Sequence, residues 1–133
     1  QADAATYDAV VSGLALHHLP DVWKAVALER IYTWLKPGGR LSLRDVVFDW
    51  TGDQPGVYFD HIAGPDMPET SRHALLRHIR QEYSTLAWIM EGLLTRAGLE
   101  ILKRHIPGFD LRQTSLAEAE QCPRQHPWPL LAS

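Results

Sequence analysis

The stretch Tyr7–Val47 reads YDAVVSGLALHHLPDVWKAVALERIYTWLKPGGRLSLRDVV and decides the fold. Its first part, Tyr7–Val11, is short, apolar and rich in β-branched residues, which is typical of a buried strand. Pro20 lacks a backbone donor and ends this segment, and Asp21 is predicted to cap the helix that follows. A strand and then a helix are therefore expected within the first 35 residues.

The second part of the same stretch predicts the helix end and another strand. Apolar side chains recur at helical spacing from Val22 to Leu35, and the sequence Lys36-Pro37-Gly38-Gly39 follows. Two glycines suit a helix end because they adopt positive φ easily. Arg40–Val47 then alternates and becomes continuously apolar, as in a parallel strand covered on both faces. The whole stretch thus predicts one strand–helix–strand unit.

This unit resembles class I S-adenosylmethionine-dependent methyltransferases. The resemblance is carried by Asp-Ala-Val-Val-Ser at 8–12, Leu-His-His-Leu-Pro-Asp at 16–21 and Leu-Lys-Pro-Gly-Gly-Arg-Leu at 35–41. In that family these segments are the fourth strand, the loop and helix after it, and the fifth strand. The resemblance implies an α/β fold with a partial Rossmann-like sheet, mostly parallel, and helices on its faces.

The glycine-rich cofactor loop of that family is absent, since no Gly-x-Gly-x-x-Gly occurs in the sequence. We therefore expect residues 1–117 to be the carboxyl-terminal half of a methyltransferase-like domain, truncated from a longer protein. Alone, this chain is expected to be inactive and to bind S-adenosylmethionine weakly or not at all. Residues 118–133 contain three prolines and are predicted to be an irregular tail.

Further elements follow the first unit. Phe48–Thr70 is rich in glycine and proline and is predicted to be a long loop, either a lid over an acceptor pocket or a disordered insertion. Helices are predicted at 71–82 and 85–97, the second capped by Ser84 or Thr85 and ended by Gly98. A third parallel strand is expected at 99–106. Residues 109–116 are a weak candidate for the family's antiparallel last strand.

Composition limits the classes of partner. The 133 residues are 45% hydrophobic and 22% charged, as in an ordinary globular domain, and the net charge of −3 provides no basic surface for nucleic acid or anionic membrane. No segment approaches the roughly 18 consecutive apolar residues of a membrane span. Cys122 is the single cysteine, which excludes an internal disulfide and favours a cytoplasmic location.

The candidate cofactor residues lie after the first strand. In an open parallel sheet, ligands bind beyond the carboxyl ends of strands where the strand order reverses. Ser12, Gly13 and Leu14 occupy that position, and Gly13 lets the backbone pass close to a ligand. Alternatively, Ser12 and Gly13 simply end a strand. The resemblance adds His17, near the methionine end of S-adenosylmethionine.

Candidate catalytic residues are His17 and Asp45. A neutral histidine can deprotonate an acceptor hydroxyl or amine, and Asp45 at the end of the second strand could orient the acceptor or take its proton. Alternatively, these side chains pack and cap backbone groups. Metal ligation by His17 and His18 is not predicted, because adjacent side chains diverge and no carboxylate lies at ligand spacing in the sequence.

Candidate acceptor-binding residues are Arg44, Trp50 and Tyr83. Arg44 is expected to face the same rim as Asp45 and could bind an acidic acceptor, although an ion pair or a helix cap is an equal alternative. Trp50, with Tyr58 and Phe59, could form an apolar lid, and Tyr83 with Glu82 could close the pocket. An aromatic side chain on a loop is more often a peripheral core contact.

Two functions of different class follow. The first is S-adenosylmethionine-dependent methyl transfer to an unidentified, small-molecule acceptor. The alternative is a non-catalytic methyltransferase-like module that acts through protein association, and a nicotinamide-type dinucleotide enzyme is a weaker third option. Without the family's first three strands, residues 8–12 form a bare sheet edge, which predicts a homodimer through Tyr7–Leu14.

Overall fold

A computed structural model describes residues 4–49, 63–105 and 114–123 of the chain. In chain order the elements are β1 (Tyr7–Gly13), a short 3-10 helix (Leu16–His18), α1 (Asp21–Trp34), β2 (Leu35–Phe48), α2 (Glu69–Gln81), β3 (Thr85–Leu86), α3 (Ala87–Arg96), β4 (Leu99–His105) and β5 (Thr114–Gln121). Trp50, Tyr58 and Phe59, the predicted lid aromatics, lie outside the described residues. No helix in the described part of the chain is long and apolar enough to cross a membrane.

The elements form an α/β structure, as predicted. The strand order is β1-β2-β5-β4, and β3 pairs with the end of β2. β1 and β2 are parallel and in register, with Val10 opposite Leu41 and Ser12 opposite Leu43. The predicted strand–helix–strand unit is therefore confirmed.

The sheet is mixed in its pairing, which differs from the mostly parallel sheet that was expected. β5 lies between β2 and β4 and is antiparallel to both. The third predicted parallel strand, now β4, runs in the same direction as β2 but is separated from it by β5. β1, β2, β3 and β4 share one direction, and β5 alone runs against them.

The extent of β5 corrects the sequence analysis. Thr114–Gln121 is strand, so four residues of the predicted tail belong to the sheet. Alanine and glutamate are weak strand formers, which explains why the sequence signal was faint. Hydrogen bonding on both sides to β2 and β4 overrides that weak preference. Ala119 is buried on the helix-covered face, opposite Leu41 of β2.

The turn before β2 also differs from expectation. β2 begins at Leu35, opposite Tyr7, and the next paired residue is Arg40, opposite Ala9. The intervening Lys-Pro-Gly-Gly segment therefore bulges from the strand. Only Gly38 has a positive φ, of 76°. Gly39 is needed for space, because a Cβ there would lie 2.8 Å from the Lys36 carbonyl oxygen.

The core lies between the sheet and one helical layer. β2 alternates, so that Leu41, Leu43 and Val47 are buried beneath α1 and α3. Leu28 of α1 and Leu94 of α3 pack into the same cluster. The helices therefore shield one face of the sheet from solvent, and the side chains of Arg40 and Arg44 lie on the other, exposed face.

Helix α1 is apolar on two sides, and the apolar stripe that begins at Val22 in the sequence is buried only in part. Lys24, Leu28 and Ile31 are its buried residues, whereas Val22 is 72% exposed. Asp21 is the first helical residue and Pro20 is the cap, with no side-chain capping hydrogen bond. The sequence pattern could not choose between two apolar stripes, because both satisfy helical spacing.

Helices α2 and α3 lie close to their predicted ranges. α2 buries no residue, and α3 begins at Ala87 with Leu86 as its cap. Thr85 does not cap it as predicted but pairs with Val47 of β2, and its hydroxyl donates to Asp21 Oδ2 at 3.3 Å. Gly98 ends α3 with a φ of 90°, which confirms the predicted terminator.

Candidate functional site

The predicted cofactor segment lies where β1 ends. Ser12 is half-buried, and Gly13 and Leu14 are exposed at the carboxyl edge of the parallel pair. The Leu14 amide donates to the Arg44 carbonyl at 2.7 Å, and Leu14 has a positive φ of 53°. A non-glycine residue in this region is strained, and such strain concentrates at functional sites. The backbone turns sharply here and leaves the edge of the sheet accessible.

Gly13 leaves open space beside the backbone. A Cβ built at this position would meet no atom within 4 Å in the part of the chain that the structure describes. Its φ is not positive, so glycine is not required by the backbone conformation. A ligand could approach the backbone closely here, which is the geometry that a cofactor lying across the strand ends requires.

Asp45 organises the loop that follows β1. It is 1% exposed and takes one of the inward positions of β2. Its carboxylate accepts hydrogen bonds from the amides of Leu16 at 2.7 Å and His17 at 3.3 Å, and from the amide of Val46 at 2.8 Å. The short 3-10 helix is thereby fixed to the end of β2, because Asp45 satisfies the amides of its first turn.

His17 is buried between two carboxylates. Its Nδ1 lies 2.6 Å from Asp45 Oδ1, and its Nε2 lies 3.0 Å from Glu82 Oε2. Since a carboxylate only accepts, the Nδ1–H donates to Asp45. The structure thus brings together the two residues predicted as catalytic. It holds them against each other, with His17 only 6% exposed.

Glu82 is a functional candidate that the sequence indicated only weakly. It follows α2, and its Oε2 also lies 3.3 Å from His78 Nδ1 and 3.7 Å from His18 Nδ1. The sequence separation of 65 residues from His17 hid this arrangement, and only the topology brings them together. No carboxylate lies at ligand spacing from His17 and His18 in the sequence, but the fold brings Glu82 beside both.

Tyr83 connects the same segment to the loop after β1. Its amide donates to the His17 carbonyl at 2.7 Å, and its carbonyl accepts from Lys24 Nζ. Lys24 is fully buried and also binds Asp21 Oδ1 at 2.8 Å. The Tyr83 ring is 53% exposed and lies at the rim. Lys24 was not predicted, because a lysine in an apolar helix pattern normally faces solvent.

Arg44 and Asp45 do not face the same rim, which corrects the prediction. Neighbouring residues of a strand point to opposite faces of the sheet. Asp45 faces the helices and is buried, whereas Arg44 is exposed on the open face, opposite Gly13. Trp50, the third predicted acceptor contact, lies outside the described residues.

Comparison with known proteins identifies the class of fold. Residues 1–43 match the family described as a methyltransferase domain. No curated protein sequence matches the chain. Among solved structures, an S-adenosylmethionine-dependent methyltransferase from Methanosarcina mazei has a TM-score of 0.63 at 14% identity, covering 91% of this chain and 62% of its own.

Two further structures contain ligands. An O-methyltransferase family 2 protein from Planctomyces limnophilus in complex with apigenin has a TM-score of 0.58 at 19% identity, covering 87% of this chain and 30% of its own. The second is the 1,6-didemethyltoxoflavin-N1-methyltransferase of Burkholderia thailandensis with bound 1,6-didemethyltoxoflavin and S-adenosylhomocysteine. It has a TM-score of 0.59 at 18% identity, covering 92% of this chain and 47% of its own. The chain therefore spans 30% to 62% of the three structures. The predicted resemblance to class I methyltransferases is confirmed.

Proposed function

We propose that this chain, which has the fold of class I S-adenosylmethionine-dependent methyltransferases, contributes part of the cofactor and acceptor site of an enzyme that methylates a small molecule. One observation carries the proposal. The carboxyl ends of β1 and β2 present an open backbone at Gly13, next to a loop that Asp45 holds in place. This is the edge at which α/β sheets bind their ligands.

The residues proposed to hold S-adenosylmethionine are Ser12, Gly13, Leu14 and His17. Gly13 supplies the space for a ligand beside the strand end, and Ser12 is a small polar neighbour. The cofactor supplies an electrophilic methyl group, so the protein mainly has to align the acceptor and remove its proton. The buried contacts of Asp45 keep the binding loop in one conformation without cofactor, which lowers the entropic cost of binding.

We propose a positioning role for Asp45 in place of the predicted role as a base. Its oxygens already accept three backbone amides and the His17 ring, so an acceptor proton could reach it only if these bonds broke. His17 remains the candidate base, since its Nε2 points away from Asp45. Glu82 covers that nitrogen, and therefore must move before His17 can meet an acceptor.

The acceptor class is proposed from the ligands of structurally similar proteins and from the side chains at the rim of the site. The structures from Planctomyces limnophilus and Burkholderia thailandensis carry apigenin and 1,6-didemethyltoxoflavin, both small molecules. Tyr83 offers an exposed ring beside the loop after β1, suited to packing against a flat acceptor. Arg44, on the opposite face, would favour an acidic group that approaches from that side. Trp50 stays a predicted contact.

The substitution Gly13→Val tests the cofactor assignment. Because a Cβ at Gly13 meets no atom within 4 Å, the valine is tolerated by the fold but occupies the ligand's space. In the natural full-length protein, we expect calorimetry to show at least about tenfold weaker binding of S-adenosylhomocysteine, about 1.4 kcal/mol.

Gly92→Val is the matched control. Gly92 lies in α3, away from the strand ends, and a Cβ there also meets open space. We expect the affinity for S-adenosylhomocysteine to remain unchanged in this variant. Equal affinities of Gly13→Val and the unsubstituted protein would remove Ser12, Gly13 and Leu14 from the site.

We also propose self-association through the edge of β1. This proposal is compatible with the alternative function, a non-catalytic module that acts through protein association. Among the described residues, β1 pairs only with β2, and its segment Tyr7–Gly13 contains neither lysine nor proline to protect the free edge. Val11 is 79% exposed. The Thr6 amide donates to the Trp34 carbonyl on the β2 side of this strand, and Trp34 also lines an apolar groove of about 310 Å³ on α1.

A further inference from the structure

We infer that His17, His18 and Glu82 form a binding site for a divalent transition-metal ion, which would occupy His17 Nε2 and so exclude this nitrogen from acting as the base for an acceptor. The three side chains offer donor atoms that all lie within 4.8 Å of one another. They come from two separate parts of the chain, the loop after β1 and the segment after α2. Two imidazoles and one carboxylate are ligands that Zn²⁺ and related ions prefer.

The distances fit a metal centre. Glu82 Oε2 lies 3.0 Å from His17 Nε2 and 3.7 Å from His18 Nδ1. In a tetrahedral site with metal–ligand bonds of about 2.0–2.1 Å, donor atoms lie about 3.3 Å apart. The two observed distances bracket that value, and the third, between the donor nitrogens of His17 and His18, is at most 4.8 Å, so these two rings must move closer to close the site around an ion.

The protonation pattern of His17 leaves its outer nitrogen suited to a metal. Nδ1–H donates to the buried Asp45 at 2.6 Å, which leaves the lone pair of a neutral ring on Nε2. A carboxylate that holds the second nitrogen of a metal-bound histidine is the usual supporting contact in such sites. Nε2 and Glu82 Oε2 are then two acceptors only 3.0 Å apart, a contact that a shared cation would stabilise.

Glu82 provides an independent indication. In the part of the chain that the structure describes, its Oε2 is buried and accepts no hydrogen bond, although three imidazole nitrogens lie within 3.7 Å. These nitrogens are therefore not aimed along the lines that join them to the oxygen. Ligands of one ion show this arrangement, because each donor points to the metal and not to its neighbour. A buried carboxylate oxygen without a partner is otherwise costly.

The accessibility of the cluster suits a site that an ion can enter. The side chains of His17, Glu82 and His18 are 8%, 31% and 61% exposed. His78 supports Glu82 from α2, and its Nε2 lies 3.0 Å from Ser84 Oγ. An ion bound here would join the segment after α2 to the loop after β1. The hydrogen bond from the Tyr83 amide to the His17 carbonyl already joins these two segments, and the ion would be a second link between them.

The ligand set also selects among cations. Mg²⁺ and Ca²⁺ prefer oxygen ligands and would gain little from two imidazoles. Zn²⁺ is therefore the probe, and Co²⁺ reports coordination geometry through its visible absorption. We expect the metal-free protein to bind one equivalent of Zn²⁺, and the Co²⁺ complex to show the spectrum of a site with nitrogen ligands.

Glu82→Gln is the variant that tests the site. It keeps the size of the side chain, so the fold is preserved, but it removes the anionic ligand. We expect this variant to bind Zn²⁺ at least about tenfold more weakly. Asp45→Asn loosens the supporting contact to His17, and we expect it to lower the Zn²⁺ affinity by about 10–100-fold. His73→Gln is the control, since His73 lies on α2 and pairs with Glu69 outside the cluster. Its Zn²⁺ affinity should equal that of the unsubstituted protein.

Two results would overturn the inference. One is Zn²⁺ binding that Glu82→Gln leaves unchanged, which would place the ion at surface histidines. The other is the absence of stoichiometric binding, together with imidazole NMR signals that show a proton on both ring nitrogens of His17. In that case a proton, and not a metal, joins His17 to Glu82.

Discussion

Asp45 shows how one side chain can connect two ends of a β–α–β unit. It is a polar residue at an inward position of β2, and its burial is satisfied by three backbone amides and the His17 ring. The sequence could predict its position at a strand end and its closeness to the first strand. Its partners could not be predicted, because they depend on the loop between β1 and α1 folding back over β2.

We predict that Asp45→Asn destabilises the protein. The amide keeps one acceptor oxygen but lacks the charge, and its NH₂ group faces donors. Hydrogen bonds to a charged group contribute about 1.5–3 kcal/mol, so a loss of about 2–3 kcal/mol in the free energy of unfolding is expected in urea denaturation.

Asp8→Asn is the comparison for that measurement. Asp8 pairs with Lys36 at 3.0 Å, but its side chain is 86% exposed. A solvent-exposed ion pair contributes about 0–1 kcal/mol, so this variant should be close to neutral. An Asp45→Asn variant as stable as Asp8→Asn would contradict the role of Asp45 in fixing the loop.

At the scale of elements, α1 explains where sequence patterns reach their limit. One of its faces packs Leu28 and Ile31 on the sheet, and another lines the groove with Trp23 and Trp34. A helix that is apolar on both sides gives no unique inner face. Lys24 lies on the buried side because Asp21 and the Tyr83 carbonyl satisfy its charge, and both contacts are invisible in local sequence.

The edge of β1 leads to a prediction about association. At micromolar concentration, sedimentation should show a homodimer, and Val11→Lys should shift it towards monomer, because a charge on a free edge opposes strand pairing. Leu102→Lys is the control, since Leu102 is 44% exposed on β4 and away from β1. A monomer whose Val10 and Val11 amides exchange rapidly would contradict this prediction.

At the scale of the whole molecule, the sequence predicted the three α-helices of the described residues and three of the four same-direction strands, β1, β2 and β4, with errors at their ends. Segments with strong hydrophobic periodicity, such as α1 and β2, can be predicted from their local sequence. β5 carried little, because Ala117 and Glu118 form a strand only through pairing with both neighbours. The cluster of His17 and Glu82 was missed for the same reason: tertiary structure alone joins residues so far apart in the chain.

The central claim is that the end of β1 binds the cofactor, and amide NMR tests it most directly. S-adenosylhomocysteine is titrated into the ¹⁵N-labelled natural full-length protein. We predict that the amides of Gly13 and Leu14 show some of the largest shifts, while the amide of Gly98, at the end of α3, stays unchanged. Saturable binding that leaves Gly13 and Leu14 unshifted would contradict the account.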